Sequence, residues 1–297
     1  MVLPLHQLRL FSAVAERRGF SRAAEALHIS QPAVSKGVRE LEEQLGAALL
    51  ERGPGGVRLT DAGLVLAARA RELFAIERAA EEEMRALRGL ERGSLRIGAS
   101  TTIATYHLPP VLAAFQARHP GVVLRLTSAN TWAVLDLLAR REIDLALVEG
   151  PVEDGAFTVT PWREERMVFV VAPTHRLLAR GGVASPADLG EEVFVVREPG
   201  SGTREVAERV LAEAGIAPRR TLEVGSTEAI KQVVAAGLGV AVVSAVAAAD
   251  QIALGRLAVL PTAAGEYRRV LSRIGVPGRR PSPPARAFAR LLDAAAG

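Results

Sequence analysis

The chain has no cysteine, and among its 297 residues only five are histidines and three are methionines. The missing cysteine excludes disulfides, thiolate metal sites and a cysteine nucleophile. The five histidines show no paired spacing of the kind a metal site uses, so no metal and no cofactor is expected. Neither a GxSxG elbow nor an HExxH pair occurs, and His107, His119 and His175 have no evident acid partner along the sequence. An enzyme is therefore not expected. Long hydrophobic runs are also missing. The longest apolar stretch, Val233 to Ala249, is broken by Gly237, Gly239 and Ser244 and reads as a buried helix, turn and strand rather than a membrane span. No basic start precedes an apolar run at the N-terminus, so no signal peptide is read, and a cytoplasmic protein without a membrane partner is expected.

What is present is a large apolar share, 49%, with 24% charged residues and a net charge of +4. That supports real cores, and the length suits two or three domains. Of the 37 basic residues only Lys36 and Lys231 are lysines; the rest are arginines. A net charge of +4 neither requires nor excludes nucleic acid, because binding depends on local clustering.

The most informative stretch is residues 21–60, read together with the helix before it. Leu5 to Arg17 predicts an amphipathic helix with Leu8, Phe11 and Val14 on one face. Ser21 is positioned to cap a second helix ending at Leu27, and His28-Ile29 reads as a turn. Ser30 is positioned to cap a third helix, with Pro32 in its first turn and Gly46 beyond its end. Its inner face is Val34, Val38, Leu41 and Leu45; its outer N-terminal face is Gln31, Ser35, Lys36 and Arg39. A basic glycine-rich hairpin follows, with Arg52 and Arg58 around Gly53, Gly55 and Gly56. This is the layout of a winged helix-turn-helix. A helix entering the major groove end-on presents its first two turns to base edges, where Gln, Ser, Lys and Arg all have hydrogen-bond partners. The arginines of the hairpin suit phosphates or a minor groove.

Thr60 is positioned to cap a long helix from Asp61 to about Leu90, which at 1.5 Å per residue spans ~45 Å. Gly89 and Gly93 then read as a break and hinge. From Ser94 strands alternate with helices, which implies mostly parallel sheets with ligands at the carboxyl ends of strands. Two units follow, 94–163 and 164–267, and the last strand and helix return to the first. That gives two crossovers, as in periplasmic-type binding folds whose cleft closes on a small ligand.

Polar residues just beyond strand ends mark the expected cleft: Ser100, Thr101 and Thr102; Asn130 and Thr131; Glu149; Arg197; Ser201, Gly202, Thr203 and Arg204; Ser226, Thr227 and Glu228. Several helix N-termini converging there make an anion-binding arrangement, with Arg204 and Arg197 as charged contacts. Each hydroxyl taken alone is most simply a helix cap. Glu149 would repel an anion, which leaves it either paired with Arg204 or bound to a ligand amine.

Phe11, Ala23-Ala24, Leu27, Ser30 through Ser35, Leu41-Glu42, Leu45-Gly46, Leu50, Arg52 and Leu59-Thr60-x-x-Gly63 together resemble the LysR-type transcriptional regulators. Leu50 departs from the aromatic more common there. The resemblance implies that the third helix reads the major groove and the wing touches the backbone or minor groove, which nominates Gln31, Pro32, Ser35, Lys36, Arg52 and Arg58. It implies residues 1–60 as a DNA-binding domain and 61–90 as a dimerisation helix. Residues 94–297 would be a two-subdomain, periplasmic-binding-like α/β effector domain, divided into 94–163 plus 268–297 and 164–267. It further implies double-stranded operator DNA, RNA polymerase and a homodimer or homotetramer as partners. The REPGSGTR and GSTEAIKQVVAAGLGVAVVS segments are similar to members governing carbon-dioxide fixation or sulfur and cysteine metabolism, hence an effector that is a small anionic metabolite.

Overall fold

The structure, a computed structural model, describes residues 3–53, 56–86, 93–152, 155–263 and 266–295. It falls into two compact units, Met1–Glu81 and Glu82–Gly297.

In the first unit, helix α1 (Leu5–Arg17), α2 (Phe20–Leu27) and α3 (Gln31–Leu45) enclose Leu8, Phe11, Val14, Ala23, Val34, Val38 and Leu41. The second helix starts two residues earlier than its sequence suggests. Gly19 is at its N-cap, and Ser21 lies inside its first turn. Arg18 and His28 close α1 and α2 in the left-handed conformation, and the side chain of Arg22 donates to the carbonyls of Arg17 and Arg18, satisfying the end of α1. Ser30 stands at the N-cap of α3 but makes no side-chain cap bond, and Gly46 ends the helix at φ 66°. Glu42 reaches forward from α3 to accept from the backbone N–H of Leu49 (2.8 Å) and Leu50 (3.2 Å). It thereby aims the hairpin of β1 (Leu50–Gly53) and β2 (Gly56–Leu59). Leu50 is half-buried against the same core, so an aliphatic side chain serves where an aromatic was the commoner choice. Helix α4 (Asp61–Ala86) is capped by Thr60, whose hydroxyl accepts from Gly63 N (3.0 Å), and its Ala67, Ala70 and Phe74 complete the core. The break expected at Gly89 lies outside the described residues. Gly93, instead of forming a hinge, is the first residue of a strand.

The second unit holds two lobes. In the first, β3 (Gly93–Ser100) runs parallel to β4 (Val122–Ala129) and β5 (Leu145–Glu149). Helices α5 (Leu108–Arg118) and α6 (Thr131–Ala139) join these strands. A five-residue π-turn, Ile103–His107, precedes α5, so Pro109 and Pro110 open that helix rather than interrupt it. Strand β6 (Thr158–Val171) then leaves for the second lobe, which adds α7 (Arg176–Ala179), α8 (Pro186–Gly190), β7 (Val193–Arg197), α9 (Gly202–Glu213) and β8 (Arg220–Val224). It continues with α10 (Thr227–Ala235), β9 (Ala241–Ser244), α11 (Ala245–Ala253) and β10 (Ala258–Val259). Strand β11 (Tyr267–Gly275) returns, and α12 (Pro283–Ala294) covers the first lobe.

The crossovers are continuous strands. β6 pairs with β11 over most of its length and with β9 and β10 at its far end, and β11 also pairs with β5. All these pairings are antiparallel, so the sheet is mixed rather than mostly parallel. The sequence from Thr158 to Arg166 hides its strand behind Pro161 and four charged residues. Pro161 sits where the β6–β11 register shifts, a bulge that tolerates the missing N–H. Separate apolar clusters fill the lobes: Ile97, Leu147, Phe115 and Phe288 in the first; Phe169, Phe194, Val210 and Val242 in the second. No described helix is long and apolar enough to cross a membrane.

Candidate DNA-reading and effector-binding sites

Helix α3 has two chemically distinct faces. Val34, Gly37, Val38 and Leu41 are buried, whereas Gln31, Pro32, Lys36 and Arg39 are exposed and Ser35 is half-buried. The polar set lies in the first turns, where the helix also presents unpaired N–H groups. Lys36 is held only loosely by Glu40 (3.8 Å). In the hairpin, Arg58 is exposed and pairs in register with Glu51, and Arg52 pairs with Val57. The side chain of Arg52 lies outside the described residues. The unit thus presents one polar helix end and a basic hairpin.

In the second unit the lobes meet through a buried polar cluster. Thr131 Oγ1 donates to the Glu149 carbonyl (3.1 Å) and accepts from Gly202 N (3.3 Å). Thr203 Oγ1 donates to Glu149 Oε1 (2.9 Å), Ser100 donates to the other oxygen of the same carboxylate, and Thr102 lies 3.5 Å from Thr203. Strand ends and helix starts of both lobes therefore meet at Ser100, Thr102, Thr131, Glu149, Gly202 and Thr203.

Other expected cleft residues are engaged elsewhere. Asn130 caps α6 through Ala133 N (3.0 Å) and donates to Glu198, and Ser226 caps α10 through Ala229 N (3.1 Å). Arg197 is buried but bound at both ends by Glu198 (2.7 and 2.8 Å), with Thr227 accepting from its Nη1 (3.2 Å). Arg204 points to Glu208 (2.7 Å) and Glu223 (2.8 Å) and does not pair with Glu149. Thr101 is half-buried, and its carbonyl accepts from Thr105. Ser201 is buried at the start of α9 without a side-chain cap bond. Glu228 meets both Tyr106 and Lys231 (2.7 Å).

The cation facing Glu149 is Arg269, 3.7 Å away, which also donates to Thr203 (3.1 Å) and forms an ion pair with Glu165. Glu165 accepts from Ser244 Oγ (2.7 Å) and from His107 Nε2 (2.9 Å), the proton being assigned to this nitrogen because a carboxylate only accepts. His107 therefore has an acid partner, 58 residues away in sequence, and His175 likewise lies 3.5 Å from Glu192. Burial, the largest single influence, pushes the Glu165 carboxyl up. The His107 bond, the Arg269 charge and the Ser244 bond outweigh it and hold its pKa at about 2. A second cation, Lys231, is buried in α10, and its Nζ donates to the hydroxyl of Tyr106 (2.7 Å) and the carbonyl of Ala247 (2.8 Å). Sequence reasoning missed Arg269, Glu165, His107, Tyr106 and Lys231. Among the described residues no cluster of His, Asp and Glu is arranged to hold a metal.

A helix-turn-helix with a wing, joined to a two-lobed domain whose strand ends enclose a polar interlobe cluster, defines a ligand-responsive DNA-binding regulator rather than an enzyme. Residues 5–64 match the family described as bacterial regulatory helix-turn-helix protein, lysR family, and residues 88–297 match the LysR substrate binding domain. The chain belongs to the LysR family of transcriptional regulators. It is 38% identical to the RuBisCO operon transcriptional regulator of Allochromatium vinosum, over 97% of this chain and 95% of that one. It is 35% identical to the HTH-type transcriptional regulator CysL of Bacillus subtilis (strain 168), over 80% and 79%. Both subgroups suggested by the α9 and α10 segments are thus among its relatives. Among solved structures, full-length CbnR complexed with its target DNA superimposes with a TM-score of 0.70 at 25% identity, covering 99% of this chain and all of that one. The Synechocystis PCC6803 CcmR regulatory domain in complex with 2-PG superimposes with a TM-score of 0.63 at 28% identity, covering 69% and 98%.

Proposed function

We propose that this regulator reads a pseudo-palindromic operator with the first two turns of α3 and senses a small anionic metabolite between the lobes of its C-terminal unit. The observation that carries the first half is the division of α3 into a sealed apolar face and an exposed polar start. Gln31, Ser35, Lys36 and Arg39 supply base-edge partners there, Pro32 sets the helix entry, and Arg52 and Arg58 meet phosphates.

The second half rests on the interlobe hydroxyls of Ser100, Thr102 and Thr203, the starts of α9 and α10, and the buried Lys231 ammonium. An anion there competes with Glu228 for Lys231 and with Glu149 for Ser100 and Thr203. Because the Thr203–Glu149 bond and the contacts of Tyr106 with Lys231 and Glu228 join the lobes, it shifts the lobe equilibrium by its differential affinity for the two states. CcmR binds 2-phosphoglycolate in its regulatory domain, and the A. vinosum relative governs a RuBisCO operon. A phosphorylated or carboxylated metabolite of carbon assimilation fits that company, with no further cofactor required.

The regulator acts in the cytoplasm as a homotetramer and recruits RNA polymerase. Leu64, Val65 and Ile76 remain exposed along α4, and β4 lies at the edge of its sheet; these are two separate surfaces for copies of the chain. The test is selection of genomic fragments by the purified protein, sequenced with and without phosphorylated and carboxylated metabolites, alongside sedimentation of the free protein. Enrichment of a pseudo-palindrome whose footprint changes with one metabolite is expected. Lack of any enrichment at low salt would remove the reading role.

A further inference from the structure

The first lobe carries a second concavity, at the end of its sheet opposite to Ser100 and Glu149. It lies between the start of β5, the paired ends of β6 and β11, and helix α12, and encloses about 440 Å³. That is within the range of small-molecule sites. Its rim is made of arginines: Arg273 on β11, Arg279 in the following turn, and Arg286 and Arg290 on α12.

Carboxylates are fewer. Asp293 holds Arg273 (3.1 Å), and Asp144 serves two guanidiniums at once, Arg279 (3.2 Å) and, behind it, Arg96 (2.7 Å). Among the described residues Arg286 donates only to the carbonyl of Pro281 (2.7 Å). Arg290 has no carboxylate partner among the described residues, and both α12 arginines are exposed. Five guanidiniums thus meet two carboxylates, a local excess of three positive charges. Arg286 and Arg290 are four residues apart, so they share one face of α12. Between them and the sheet the lining is apolar, from Leu145, Ile274 and Ala289, with the hydroxyls of Thr158 and Thr160 on the strand side.

We propose that this cavity binds a small organic anion, a carboxylate or phosphate carried on an apolar body, independently of the interlobe site. The charged head sits against Arg286 and Arg290, and the body covers the half-buried Val276 and Ala289, which overlie the buried Leu145 and Ile274. Two cationic forks beside an apolar floor select such an amphipathic anion over an inorganic one, because only the organic body uses the floor.

The test is calorimetric titration of the full-length protein with phenyl phosphate and with inorganic phosphate, in the wild type and in the Arg286→Ala/Arg290→Ala double variant. Operator retardation is measured over a salt series in parallel. Phenyl phosphate is expected to bind more tightly than inorganic phosphate, and the double variant to weaken it about tenfold or more through loss of charge-assisted bonds. The salt slope on DNA should not change. Absence of phenyl phosphate binding at millimolar concentration, or equal binding by the double variant, overturns the proposal. A flatter salt slope with phenyl phosphate binding intact also overturns it, and assigns the arginines to the DNA backbone instead.

Discussion

Arg269 on β11 stands directly opposite Glu165 on β6, and the two form an ion pair buried where both strands pass between the lobes. From this pair the bonds spread in both directions: to His107 of the first lobe, to Ser244 and Thr203 of the second, and on to Glu149 and Ser100. Truncating one partner leaves a buried charge uncompensated, which costs far more than the pair itself contributes. Arg269→Ala should therefore lower unfolding free energy by about 3–5 kcal/mol. Arg269→Met combined with Glu165→Gln should cost clearly less, because both charges go together. Urea unfolding of the three proteins checks this; equal losses from the single and double variants would show that the cost lies in packing rather than in charge.

The same pair sets an acid dependence. The Glu165 carboxyl ionises at about 2 in the folded chain, against 4.5 in the unfolded one. A depressed folded value adds stability above pH 4.5 that is lost as the pH falls towards 2. At one unit per 1.36 kcal/mol the contribution is roughly 3 kcal/mol. Glu165→Gln should flatten the fall in stability across that window relative to the wild type, and leave the profile above pH 5 parallel to it. Thermal melts recorded from pH 3 to 7 give the comparison.

Gly202, at the start of α9, packs directly on the end of β5 in the other lobe. A Cβ built on it would lie 1.9 Å from the Glu149 carbonyl oxygen and 2.8 Å from Thr131 Oγ1, and backbone at that distance cannot step aside cheaply. Gly202→Ala should force the start of α9 away from the end of β5, breaking the Gly202 N bond to Thr131 and uncoupling metabolite from DNA affinity. Gly225→Ala, whose Cβ meets nothing within 4 Å, is the matched control and should behave as the wild type. The measurement is operator affinity with and without metabolite. An unchanged response in Gly202→Ala would separate this contact from the signal.

What could be read in the sequence was what local rules determine. The caps at Thr60 and Gly46, the buried period of α3 and the basic hairpin depend on near neighbours, and the structure places them close to where spacing put them. The Arg269 network depends on partners far apart in the chain, Glu165 being 104 residues away and Glu149 farther still, and in the sequence Arg268-Arg269 looks like a solvated charge pair. One signal was there. Arg269 is two residues from both Tyr267 and Leu271, so the strand period puts it on the face of those apolar side chains, and in the structure it is buried there with Leu271. For Ser226 the simpler reading as a helix cap held, Asn130 also caps its own helix, and Arg204, expected at an anion or at Glu149, pairs instead with Glu208 one turn away. The strand ends converge on Glu149, but their positions in the sequence could not say which cation balances it.

The reader makes the sharpest separation of roles. Gln31 and Ser35 lie one helical turn apart at the start of α3 and carry no charge, so their proposed contribution is to base edges. Gln31→Ala with Ser35→Ala should relax sequence preference at the contacted positions by about 1–3 kcal/mol while leaving non-specific binding nearly intact. Arg58 is exposed on the hairpin, and its proposed partner is phosphate, which every sequence presents alike. Arg58→Ala should weaken all DNA to a similar degree and reduce the salt slope by about one. Retardation on the selected operator and on scrambled duplexes, each over a salt series, distinguishes the two patterns. If the Gln31/Ser35 pair lost affinity equally on both duplexes, those side chains would be positioning the helix rather than reading sequence.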